Sequence, residues 1–120
     1  MNRPLRLIAP LLWMALIFYL SSRTSVGPDL PEFTRWIAHF TEYATLAALW
    51  SWALAPTLGA HGLVAAAVIC ALYAASDEWH QSFVEGRDSD PKDFLIDCIG
   101  ITAGLWLSRR AASRRRPTSP

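Results

Sequence analysis

Four apolar runs fill most of this 120-residue chain, at roughly Leu5 to Leu20, Trp36 to Ala55, Leu63 to Ala75 or a little beyond, and Phe94 to Leu107. A helix needs about 20 residues to cross the hydrocarbon core of a bilayer, with about 17 near the lower limit. The second run meets that length and the first and third reach it with a few flanking residues. The fourth is short, a deficit that bilayer thinning or anchoring side chains can absorb. Few polar positions interrupt the runs, and none shows the full polar face of a soluble surface helix. With 52% hydrophobic and only 18% charged residues, the chain is expected to be all-α, an integral membrane bundle of four transmembrane helices. A soluble four-helix domain is the weaker alternative, since its core helices can also be apolar over 12 to 14 residues. At the N-terminus, Asn2, Arg3 and Arg6 before an apolar run ending in Ser21 and Ser22 outline a signal peptide. No A-x-A site follows and three further runs do, so the segment reads as a retained first helix.

Charge orients the bundle. Arg3 and Arg6 precede the first run, and Arg109, Arg110, Arg114, Arg115 and Arg116 follow the last, placing seven of the eleven basic residues on one side. The first and third loops hold Arg23, Arg35, Arg87 and Lys92 with all ten acids, Glu42 and Asp97 being counted with the helix ends nearest them. Short basic segments stay in the cytoplasm, so both termini are expected there and the acidic loops outside, in a bacterial cytoplasmic membrane. Residues 1–108 form the expected membrane domain and residues 109–120 a basic cytoplasmic tail without fixed structure. Such a tail sets topology and touches anionic lipid more readily than it binds nucleic acid. Trp13, Trp36, Trp50, Trp52, Trp79 and Trp106 fall mostly near run ends and suit an interfacial belt. Cys70 and Cys98 lie inside the third and fourth runs and read as small apolar residues, without disulfide or thiol-metal spacing.

The polar residues gather at the outer ends of the runs. Pro28 and Pro31 break the chain before the second helix, whose first turns carry His39, Glu42 and Tyr43 on one face. That helix is expected to end at Pro56, and the brief turn after it makes the second and third helices an antiparallel pair. His61 in that turn reads as incidental. The Ala-rich third helix runs outward into Asp77, Glu78 and Gln81, with His80 off their stripe. Asp90 or Asp93 can cap the fourth helix, with Pro91 tolerated in its opening turn. Asp93, Asp97, Gly100 and Gly104 then form one stripe along a face that the G-x-x-x-G spacing suits to close packing.

A carboxylate at mid-membrane costs on the order of 2.5 to 3.5 kcal/mol on insertion scales, so these groups should turn inward and meet. Arg87, from the loop between the last two helices, is a natural partner for the acids because its fork can bridge two carboxylates or hold a phosphate. The constellation His39, Glu42, Tyr43, Asp77, Glu78, Gln81, Arg87, Asp93 and Asp97 supports several chemistries. It could recognise an envelope lipid or glycan. It could serve a small hydrolase or transferase with Asp77 or Glu78 as acid or base and His39 near. A divalent-cation site lacks a tight ligand motif, and a small exporter would place its acid near mid-span. The plainest use is a structural latch fixing helix ends, with His39 as an interhelical hydrogen-bond donor. No cofactor is indicated, and self-association is left open.

F-Y-L-S-S at the end of the first run, H-F-T-E-Y at His39 to Tyr43, and D-E-x-x-Q from Asp77 followed by Arg87, Asp93, Asp97, Gly100 and Gly104 resemble the VanZ-like membrane proteins over nearly the whole chain. The family often has Asn where this chain has Asp97. The resemblance implies a multi-span cytoplasmic-membrane protein and, for the family's namesake, reduced susceptibility to the lipoglycopeptide teicoplanin. It implies no settled reaction. The topology has a direct test in cells carrying Cys70→Ala and Cys98→Ala: a membrane-impermeant maleimide should label Ser89→Cys and leave Ser113→Cys unlabelled.

Overall fold

The computed structural model describes residues 2–22, 32–84 and 91–115, and among them every regular element is a helix. These are α1 (Arg3–Arg6), α2 (Ile8–Ser22), α3 (Glu32–Leu58), α4 (His61–Gln81) and α5 (Pro91–Arg115). The loops holding Gly27, Pro28, Pro31 and Gly86, and the cap candidate Asp90, lie outside the described residues.

Proline chemistry explains the first irregularity. Pro10 has no N–H to offer the Arg6 carbonyl and its ring crowds that oxygen. The helix accordingly breaks at Leu7, which keeps a right-handed φ of −68° and ψ of −21°, so α1 and α2 form one slightly interrupted rod. Pro56 sets the same problem inside α3, yet the helix does not end there as expected. It runs on to Leu58. The Trp52 carbonyl, deprived of a donor at Pro56, accepts a 2.9 Å hydrogen bond from Arg6 Nη1 instead, and the guanidinium lies 4.7 Å over the Trp52 ring. Gly59, at φ 55°, then ends α3 in the left-handed conformation that glycine adopts without strain, and α4 starts two residues later at an exposed His61.

The last two helices are longer than their apolar runs. The third run continues past Ala75 to Gln81 because Asp77 and Gln81 face inward and are buried. The fourth helix extends from Pro91 to Arg115, 25 residues against the shorter apolar run inside it. The basic segment from residue 109 is helical as far as Arg115 rather than without structure. Its arginines and Ala111 and Ala112 are good helix formers.

The helices run up and down, with α3 at the centre touching α2, α4 and α5, while α4 also touches both α2 and α5. The core is built largely from small or aromatic groups: Tyr43, Leu46, Ala47 and Trp50 of α3, Ala66, Cys70 and Ala74 of α4, Ile17 and Ile101. Cys70 and Cys98 are both free thiols. Not every tryptophan is interfacial. Trp50 is buried, and Trp13 donates from mid-helix to the Glu42 carbonyl at 2.9 Å.

The tightest seam joins α3 and α5. A Cβ added to Gly100 would come 2.6 Å from the Phe40 carbonyl oxygen, and one at Gly104 would overlap the Ala44 carbonyl oxygen. Only glycine permits this backbone approach.

Polarity is distributed against the soluble pattern. Leu12, Val64, Leu72 and Leu95 are more than 60% exposed, while His39, Asp77, Gln81, Asp93 and Asp97 are buried. Two helical segments, Arg3–Ser22 and His61–Gln81, are long and apolar enough to cross a membrane. Helices α3 and α5 have the length but carry more charge.

Two predictions follow from this packing. Gly104→Leu should force α3 from α5 and lower unfolding stability by about 3 kcal/mol, as overpacking of a tight seam does, whereas Ala111→Leu on an exposed turn should change it little. Arg6→Ala should cost about 1.5 to 3 kcal/mol, the range for hydrogen bonds to charged groups. In a Pro56→Ala background, where an N–H again faces the Trp52 carbonyl, that loss should shrink, and a double-mutant cycle in denaturant reads the coupling.

Candidate functional site

Antiparallel packing brings the last turn of α2, the first half of α3, the last turns of α4 and the first turns of α5 to one end of the bundle. Each contributes polar side chains at helical spacing, and the helices pair them across their interfaces. His39 Nδ1 lies 2.8 Å from Asp97 Oδ1, with both residues buried. The carboxylate can only accept, so Nδ1 carries the proton in this bond and the ring is held in one tautomer. One turn along α3, the Tyr43 hydroxyl donates to Asp77 Oδ2 at 3.0 Å. Gln81 Nε2 donates to Ser21 Oγ at 3.3 Å, tying α4 to α2.

Further bonds close the same end. Arg35 Nε stands 3.4 Å from Asp93 Oδ1. The His80 Nε2 and Ser22 Oγ atoms are 3.1 Å apart, and the His80 ring stacks on Phe18 with centroids 4.8 Å apart. Deeper in the bundle the Tyr73 hydroxyl donates to the Met14 carbonyl at 2.6 Å. Every helix from α2 to α5 is therefore held by at least one polar bond to a neighbour. Such bonds are individually worth about 0.5 to 1.5 kcal/mol net, and breaking a buried one leaves a group whose desolvation costs about 1 to 3 kcal/mol.

Not every buried atom is satisfied. Both carboxylate oxygens of Asp93, Oδ2 of Asp97 and Oε1 of Gln81 are buried without a hydrogen-bond partner among the described residues. All four are acceptors. At the same end of the bundle, an open groove of about 430 Å³ between the end of α4 and the start of α5 is lined by Ala75, Glu78, Trp79, Ser82, Pro91 and Phe94. Among the described residues no three His, Cys, Asp or Glu side chains are placed to hold a metal ion.

The structure thus gathers His39, Tyr43, Asp77, Gln81, Asp93 and Asp97 at one end, with Glu42 and Glu78 half-buried beside them and each engaged in a polar interaction. Arg87 lies outside the described residues. Gly100 and Gly104 carry the packing rather than the chemistry. Ser21, Arg35 and the His80 anchor to α2 belong to the cluster although sequence reasoning did not place them in it. For Arg35 the signal was present: it stands one turn before His39 on the same stripe.

Comparison with known proteins fits this arrangement. No curated protein and no solved structure matches the chain. A model of the VanZ/LLP1 family matches residues 6–112, a span that takes in all four helices of the bundle, every paired polar residue at its end and both glycines of the α3–α5 seam. The chain belongs to the VanZ/LLP1 family.

Proposed function

We propose that this VanZ-like protein crosses the bacterial cytoplasmic membrane four times with both termini in the cytoplasm. Its polar end then faces outward and binds a lipid or glycan component of the cell envelope. The observation that carries this reading is the inverted polarity of the bundle. Its carboxylates, His39 and Gln81 are buried between helices while large aliphatic side chains cover the outside, an arrangement lipid favours and water does not. Among the charges that lower the hydropathy of α3 and α5, Asp93 and Asp97 are buried between helices and Arg35 and Glu42 half-buried, and several arginines lie beyond the apolar part of α5. Their outward faces carry Phe33, Ile37, Leu95, Ile99 and Trp106.

Binding accounts for the site better than catalysis does. His39 is engaged by Asp97 and Asp77 by Tyr43, so the acid–base candidates are closed across helix interfaces instead of converging on one reacting atom. The envelope role suggested by the family's namesake is altered susceptibility to teicoplanin. Expression of the wild-type chain in a susceptible Gram-positive host is expected to raise the minimal inhibitory concentration of teicoplanin. Glu78→Gln and Arg87→Ala are expected to abolish that rise at unchanged membrane abundance. Disappearance of both variants from the membrane would make the cluster a structural latch, and a wild type without effect would remove the glycopeptide role.

A further inference from the structure

We infer that the polar end takes a protonated primary amine, presented by an aminophospholipid headgroup or by a free amine. The inference rests on the reading of this end as a binding site and names the chemistry of what it binds. The unfilled atoms decide the class. Among the described residues Asp93 Oδ2, Asp97 Oδ2 and Gln81 Oε1 are buried with no hydrogen-bond partner, Asp93 Oδ1 faces Arg35 Nε at 3.4 Å, and all three acceptor residues are 1% exposed. A buried acceptor without a donor is unfavourable, and three at one end of a bundle call for a group that brings donors. An ammonium group has three N–H donors and no acceptor.

Charge points the same way. Asp77 and Asp93 each lie within electrostatic reach of Asp97. Arg35, 3.4 Å from Asp93, and His39, 2.8 Å from Asp97, bring positive charge to two of the three. A phosphate or carboxylate here would meet three carboxylates at close range. A metal cation would need several ligands in tight geometry, and among the described residues no three candidate ligands are placed for one. The route of approach also suits a cation. The groove at the α4–α5 end presents the Glu78 carboxylate with Trp79 and Phe94, whose ring faces attract ammonium groups. Its α5 wall, Pro91 and Phe94, brackets Asp93 in the chain. The groove is open at the side of a bundle whose surface is apolar, where a lipid headgroup has access.

The test uses the full chain in vesicles of phosphatidylglycerol alone, titrated with methylammonium in a calorimeter. Methylammonium should bind saturably. Tetramethylammonium, which has the charge and no N–H, and glycerol, which has donors and no charge, should not compete. Asp93→Asn should weaken binding by about tenfold to a hundredfold, the equivalent of losing a charged hydrogen bond. Gln81→Glu, which adds a carboxylate, should tighten it, an effect of opposite sign to damage in folding. Vesicles that also contain phosphatidylethanolamine separate the two sources. Suppressed methylammonium binding there assigns the site to the lipid headgroup, and unchanged binding assigns it to a soluble amine. Absence of binding by the wild type, equal binding of tetramethylammonium, or folded Asp93→Asn and Gln81→Glu variants that bind like wild type would overturn the inference. If amine binding is absent while Glu78→Gln still abolishes a teicoplanin phenotype, the site reading stands and its ligand class is wrong. If amines bind as described without any such phenotype, the glycopeptide role alone fails.

Discussion

The close approach of α3 and α5 at Gly100 and Gly104 sets the geometry of the polar end. Because neither glycine has a Cβ, the two backbones meet at the level of Phe40 and Ala44, and the turn before this contact on α5 carries Asp97 while the turn before it on α3 carries His39. Their side chains are short, and a bond of 2.8 Å is within reach only where the helix axes are already this near. One turn further out the same seam brings Arg35 to Asp93. The glycines and the ion pairs are one device: small residues where the helices touch, polar ones where they begin to separate.

A second constraint comes from proline at the other end. Two prolines each remove a backbone donor, and the chain meets one of those losses with a side chain 46 positions away, Arg6 on Trp52. The arginine's position before the first apolar run reads equally well as a topology signal, and both roles agree. A guanidinium held at the Pro56 end of α3 is also a positive charge at that end, as the proposed topology requires.

Much of this was legible in the sequence because helical spacing is a local property. The stripe Asp93, Asp97, Gly100, Gly104 and the face shared by His39 and Tyr43 follow from counting by three and four, and both are found packed inward. The apolar runs alone understate the helices, reaching Ala75 and beginning again at Phe94, but spacing and capping residues already carry the third helix out to Gln81 and open the fourth near Pro91, where the structure has them. A carboxylate ends an apolar run without ending a helix when a neighbouring helix supplies its partner. The pairings themselves, Tyr43 with Asp77, Gln81 with Ser21, and Arg6 with Trp52, depend on register between helices, and nothing local specifies register. Ser21 illustrates the point. Beside Ser22 at the end of a run it looks like the start of a loop, yet it is buried because α4 places Gln81 against it.

The division between satisfied and unsatisfied atoms separates the latch from the site. A pure latch would use up its polar atoms, since each one left over in a buried place weakens the structure it is meant to hold. Among the described residues the donors His39 Nδ1, Tyr43 Oη and Gln81 Nε2 are committed to partners, Trp36 Nε1 is a buried donor without one, and buried oxygens without a hydrogen bond sit on Asp93, Asp97 and Gln81. The chain keeps carboxylates there, at the same end as an aromatic-lined groove, which supports the binding reading proposed for this end of the bundle over a pure latch.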